Sequence, residues 1–221
     1  MCNCTHSLFN VSYNCIKCKQ EKETMNFELI SALMLFAFVS SITPGPNNIM
    51  LMTSGANFGF KRTVPHMFGV GLGFTLMIVL VGLGIINLFN MFPTSYDVLK
   101  VLSVTYLLYL AFKIAKSSST TASDASSNKP MTFIQAVMFQ WVNPKAWTMA
   151  LTSISVYAPA NNLSGIIIVA LIFGAINFPC ISSWTALGLK IQSFLTSNKR
   201  LKIFNYTMAT LLVLSLYPVF L

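Results

Sequence analysis

Two apolar segments of this chain are interrupted by proline near their middles: Thr43-Pro44-Gly45-Pro46-Asn47-Asn48 in the first, and Asn143-Pro144-Lys145 about a hundred residues later. A proline in a helix interior removes a backbone donor and drives its ring into the carbonyl four residues back. Neither segment can therefore continue as one straight helix. The chain must fold so that half-helices begin again inside the protein.

The surroundings of these breaks are apolar. Of the 221 residues, 55% are hydrophobic and only 9% charged, too little charge to cover a soluble globule. A polytopic, all-α integral membrane protein is expected. Six apolar stretches are legible: 27–42 continuing past the break to about 58, then 66–92, 98–115, 131–156, 163–189 and 203–221. About 20 residues of helix cross a bilayer, so six transmembrane helices follow. The first is awkward, because 27–58 as one straight helix would run about 48 Å, and it must tilt, bend or turn back at Pro-Gly-Pro.

Basic residues set the orientation. Lys61 and Arg62 follow the first stretch, Lys113, Lys116 and Lys129 the third, and Lys190, Lys199, Arg200 and Lys202 the fifth. The alternate loops carry only Lys100, beside Asp97. The basic loops are expected in the cytoplasm, with both termini outside. The net charge of +9 is thereby explained by topology, with no clustered aromatics or motif that would indicate a nucleic-acid partner.

The small polar stretch 117–130 divides the chain into a first half, 25–116, and a second, 131–221. With three spans each, the halves insert in opposite directions, and each opens with a span broken by Pro beside Asn. Two inverted three-helix repeats are the expectation, and discontinuous helices at matching places in such repeats mark a central binding site. Half-helices starting near Asn47 and Pro144 would aim their N-termini at the midplane from opposite sides. Their unpaired N–H groups and partial positive charge suit a carboxylate. Pro44, Gly45, Pro46, Asn47, Asn48, Asn143, Pro144 and Lys145 are accordingly the candidate substrate-binding residues. No catalytic, cofactor-binding or metal-binding residue is assigned, and no cofactor is expected.

Lys145 lies 14 residues beyond Met131, ~21 Å along a helix, where a charged Lys costs roughly 2.5–3.5 kcal/mol. Function is one explanation; a Lys that snorkels to the interface, with Trp141 and Trp147 as belt aromatics, is the other. The asparagines likewise serve as ligands or as ordinary helix caps. Glycines at Gly55 and Gly59, Gly69 and Gly73, and Gly71, Gly82 and Gly84 are read as close helix contacts, which also permit a homodimer. His66 is expected in the headgroup region. Glu21, Glu23, Glu28, Asp97 and Asp124 all fall in termini or loops, which leaves no intramembrane carboxylate for a proton relay or a second positive charge on a substrate. A neutral zwitterion is the substrate class that remains, and Lys145 is the candidate titrating group for any proton coupling.

Residues 1–24 hold Cys2, Cys4, Cys15 and Cys18 with His6 nearby. Zinc binding, disulfides and a dispensable leader ahead of Met25 are all compatible with that spacing, and the stretch lacks the apolar core of a cleavable signal peptide. It is placed outside the fold. Cys180 is solitary in its span, without the His, Asp or Glu an intramembrane enzyme needs.

From Met25 onward the chain resembles the lysine-exporter (LysE/RhtB) family of small bacterial amino-acid exporters. The resemblance rests on Thr43-Pro44-Gly45-Pro46-Asn47-Asn48 and the following Gly59-Phe60-Lys61-Arg62. It is supported by Tyr106-Leu107-Leu108-Tyr109-Leu110-Ala111-Phe112-Lys113 and by Phe139-Gln140-Trp141-Val142-Asn143-Pro144-Lys145. It implies a six-helix inner-membrane exporter, not an enzyme, driven by the proton gradient or membrane potential. Pro-Gly-Pro-Asn-Asn is similar to the branch exporting neutral amino acids, of the cysteine/O-acetylserine or threonine/homoserine type. Export of basic amino acids and a non-transporting assembly subunit are the alternatives. The Cys-rich extension and the missing membrane acids depart from the family pattern.

Overall fold

The computed structural model describes residues 27–85, 91, 94–117, 129–158 and 162–217. The expectations for 1–24, for linker residues 118–128 and for the last four residues lie outside them. Among the described residues every regular element is helical. In chain order these are α1 (Phe27–Ile42), α2 (Pro46–Phe58), α3 (Phe60–Leu80, ending in a π turn Val81–Ile85) and α4 (Thr94–Lys116). They are followed by α5 (Phe133–Phe139, with a 3₁₀ turn Gln140–Val142), α6 (Pro144–Tyr157), α7 (Leu163–Gln192) and α8 (Asn198–Leu214).

Three helical stretches, Phe60–Ile85, Asp97–Lys116 and Leu163–Gln192, are long and apolar enough to cross a membrane, and α1 with α2 makes a fourth if the bent pair is one span. The protein is a multi-pass membrane protein on this count. The second and fifth stretches are the long continuous helices expected, although α3 starts six residues earlier than 66. The 131–156 stretch is cut at Asn143 into two short pieces, and α8 counts 17 described residues.

Proline alone does not decide where a helix stops. Pro65 sits inside α3 and Pro179 inside α7 without ending either. At Pro44-Gly45-Pro46 two residues in three lack an N–H, and the chain bends 53° between α1 and α2. The carbonyls released at this break are taken by side chains from other elements. Asn48 Nδ2 donates to Ser41 O and Thr43 O, both at 2.8 Å, and the indole Nε1 of Trp184 on α7 donates to Ile42 O at 3.1 Å. The second break is capped conventionally: Asn143 Oδ1 accepts from Lys145 N at 3.2 Å, and Pro144 occupies the first turn of α6.

Helix α7 is the pillar, packing against α1, α2 and α3, while α4 packs on α8 and α3 on α5. One buried cluster joins Leu33, Phe74, Met77, Trp147, Ile154 and Phe173; another joins Ile49, Leu107, Phe139, Met208 and Leu212. Outward faces carry large apolar side chains such as Leu35, Val101 and Leu171. In lipid, where burying apolar surface drives nothing, helix approach depends on small residues instead. The α2–α7 crossing meets this need with Gly55, whose added Cβ would strike the Thr185 carbonyl, and Gly188, whose added Cβ would strike the Met52 carbonyl. Gly69 and Gly73 do the same where α3 lies on α5.

Gly59 departs from that reading. No atom lies within 4 Å of where its Cβ would be, and its φ of +80° makes it the left-handed joint between α2 and α3. His66 also differs from expectation. It is 1% exposed and neither ring nitrogen has a hydrogen-bond partner, because α3 begins before it and carries it in among its neighbours. It borders a cleft lined also by Asn57, Phe58, Tyr109, Lys113 and Lys129, so the α2–α3 joint and the ends of the linker share one end of the bundle.

Candidate functional site

The two interrupted segments meet. A small open cleft is lined by Ser40 and Ser41 from the last turn of α1, by Gly45, Asn47 and Asn48 at the start of α2, and by Asn143, Lys145, Ala146 and Met149 at the start of α6. Phe74 of α3 and Asn177 and Ile181 of α7 complete it. Of the candidate residues, Gly45, Asn47, Asn48, Asn143 and Lys145 therefore line one cavity. Pro44, Pro46 and Pro144 supply the breaks that bring them there.

Lys145 reaches across to the first break. Its ammonium donates to Thr43 O at 2.7 Å, to Thr43 Oγ1 at 2.9 Å and more distantly to Pro44 O at 3.4 Å. A cation at these carbonyls sits on the negative end of the α1 dipole. The side chain lies close over Gly45: a Cβ there would be 2.6 Å from Lys145 Cδ and 3.2 Å from Nζ, so a larger residue would require the lysine stem to shift. The belt reading of its neighbours does not hold for Trp147, which is buried and donates its Nε1 to Trp141 O at 2.9 Å.

Asn47 and Gln140 form a second tie between the halves. Asn47 Nδ2 donates to Gln140 Oε1 at 2.8 Å and Gln140 Nε2 to Asn47 Oδ1 at 3.3 Å, while Gln140 Nε2 also reaches Ala136 O at 2.9 Å. Gln140 is wholly buried. An Asn47→Ala variant leaves the Gln140 carbonyl without its donor, which costs roughly 1–3 kcal/mol. The detergent-purified variant is expected to melt measurably below wild type, and an unchanged melting point would show that the pair contributes nothing to stability.

The asparagines thus divide the work. Asn143 caps α6, Asn48 ties off the end of α1, and Asn47 binds Gln140. Sequence reasoning missed Gln140, Asn177 and Ser41. Asn177 carried the available signal, an amide two residues before a proline in an otherwise apolar helix.

Lys145 is the one charged residue in the lining of the cleft, and the start of α2 and the start of α6 add two positive dipole ends. The acids among the described residues, Glu28 and Asp97, stand in the first turns of α1 and α4. The described residues bring together no cluster of His, Cys, Asp or Glu suited to a metal ion.

Interrupted membrane helices converging on a cleft are an arrangement found in membrane transporters. Residues 38–215 match the profile of the LysE type translocator family, and the chain belongs to that family. The cysteine/O-acetylserine efflux proteins of Escherichia coli (strain K12), Escherichia coli O1:K1 and Shigella flexneri serotype 5b (strain 8401) are each 28% identical to it over 129 residues. The matched region spans 58% of this chain and 65% of each relative. No solved structure matches the chain.

Proposed function

We propose that this protein exports small neutral amino acids or their derivatives, of the cysteine/O-acetylserine or threonine/homoserine type, by secondary active transport across the inner membrane. The observation that carries this reading is the shared cleft: two half-helix N-termini, Lys145 and several side-chain amides, with no carboxylate in the lining. A substrate carboxylate is held there, near the membrane midplane, by Lys145 and by the amides of Asn47, Asn48 and Asn143 exchanging their present partners. A substrate with a second positive charge finds no counter-charge. The efflux proteins it resembles are named for neutral substrates, in keeping with this chemistry.

In this reading α1 with α2, and α5 with α6, are each one broken span, and α8 with the residues after it is the sixth. The halves 25–116 and 131–221 are inverted repeats joined by the 117–130 linker. Lys113 and Lys129 bordering one cleft with the α2–α3 joint supports putting the basic loops on a single side, the cytoplasm, with both termini outside.

The test is export of labelled cysteine, O-acetylserine, threonine, homoserine and lysine from cells expressing the chain. Efflux of one or more neutral compounds above the empty-vector level is expected, with lysine unaffected. Lysine efflux alone would replace the reading with a basic amino-acid exporter, and efflux of nothing would remove transport of these compounds altogether.

A further inference from the structure

Among the described residues, Ser41 carries the one buried side-chain hydroxyl without a hydrogen-bond partner. Its neighbour Ser40 donates to Phe36 O at 2.6 Å, Thr53 to Ile49 O at 2.7 Å, Thr75 to Gly71 O at 3.0 Å and Thr185 to Ile181 O at 3.2 Å. Each follows the usual solution for a hydroxyl in an apolar helix, which is to bond the carbonyl one turn back. Ser41 is 3% exposed, and its Oγ has no partner. Buried polar groups in proteins are bonded as a rule, so an orphan that borders a cleft calls for an explanation.

It borders the cleft built around Lys145, as does Asn177, 5% exposed on α7. Both belong to the wall formed by the last turn of α1 and by α7, and Lys145 reaches the end of the same helix, α1, from the start of α6, its ammonium resting on Thr43 O and Pro44 O. The last turn of a helix carries the negative end of its dipole and attracts cations. A hydroxyl oxygen accepts two hydrogen bonds and an amide oxygen two more. These are the groups with which a site lacking carboxylates can hold an ammonium.

We infer that Ser41 and Asn177 form the ammonium subsite of this cleft: an α-amino acid binds with its carboxylate toward Lys145 and the N-termini of α2 and α6, and its α-ammonium donates to Ser41 Oγ and Asn177 Oδ1. The inference rests on the exporter reading and adds to it the way the amino group is recognised. Neutral acceptors suit a single positive charge already balanced by the ligand's own carboxylate. They also explain how the site distinguishes an amino acid from a simple carboxylic acid, which the Lys145 pole alone does not.

The experiment uses two competitors that differ only in the ammonium: cysteine, kept reduced, and 3-mercaptopropanoate. Each is added unlabelled at the cytoplasmic face of inside-out vesicles containing the full chain, and inhibition of labelled cysteine transport is read. Wild type is expected to prefer cysteine by at least about tenfold, because hydrogen bonds to a charged group are each worth about that much or more. In Ser41→Ala, which deletes one atom, and separately in Asn177→Ala, the preference should fall severalfold, with 3-mercaptopropanoate binding nearly unchanged. A preference that stays at its wild-type value in both variants overturns the subsite and leaves the carboxylate site standing. Failure of both competitors against wild type overturns cysteine as a substrate of this cleft and this inference with it, while the efflux test above decides the exporter reading separately.

Discussion

Replacing Lys145 with alanine is expected to cut efflux of neutral amino acids by about two orders of magnitude while the protein remains in the membrane at normal abundance. The ammonium is the one charge lining the cleft, and its three contacts all go to Thr43 and Pro44. Asn48 still holds Thr43 O when the ammonium is gone, and the bend itself is made by Pro44-Gly45-Pro46. The fold therefore survives. A substrate carboxylate loses a charge-assisted hydrogen bond of about 1.5–3 kcal/mol, which is roughly a 10- to 150-fold loss in affinity. Arginine should not restore function, since its planar fork cannot reproduce the three contacts that a single ammonium nitrogen makes with Thr43 O, Thr43 Oγ1 and Pro44 O. Efflux unaffected by Lys145→Ala at matched abundance would make this residue a cap on α1 and send the carboxylate elsewhere.

The second large effect is on assembly. Gly188→Leu is expected to leave little folded protein, because its Cβ would run into the carbonyl of Met52, a backbone group that cannot rotate aside. Helices α2 and α7 would have to part along a crossing whose other close contact, Gly55 against Thr185, is equally tight. Overpacking a buried site by a few atoms costs about 1–3 kcal/mol, and leucine at a backbone-to-backbone contact should exceed the upper figure. Gly59→Ala provides the contrast. There the penalty is only that of an L-residue at positive φ, about 1–3 kcal/mol, with nothing nearby to strike. Size-exclusion profiles and melting points of the two variants should rank Gly188→Leu far below Gly59→Ala. A monodisperse Gly188→Leu protein melting like wild type would mean that the α2–α7 crossing is looser than described.

Much of this architecture can be read along the chain, for a physical reason. Apolar runs and clustered Pro and Gly are local properties, so the long helices, the bend at Pro44-Gly45-Pro46 and the capping role of Asn143 are visible in single stretches. Partnership is not local. Gln140 looks like a polar residue at a helix end until α2 brings Asn47 against it, 93 positions away in sequence. The spacing of Gly55 and Gly59 suggests one packing face, yet a positive φ assigns the two residues different work. His66 was misjudged because α3 starts at Phe60 rather than at the first strongly apolar residue, which moves the imidazole from an edge to the interior. Lys145 as an unusual residue was evident; that it would grip the other break was not.

The first break owes its shape to donors that belong to other parts of the protein: the Asn48 amide, the Trp184 indole and the Lys145 ammonium. A continuous helix bends only by unzipping neighbouring backbone bonds together. This joint is pinned by three separate side chains, with Thr43 O shared between Asn48 and Lys145. Its stiffness is therefore adjustable pin by pin, and the ammonium pin is the one that a bound carboxylate would compete for. If the proposed carboxylate site holds, occupancy of the cleft and the angle between α1 and α2 share one nitrogen atom, and a ligand drawing Lys145 away would loosen the elbow.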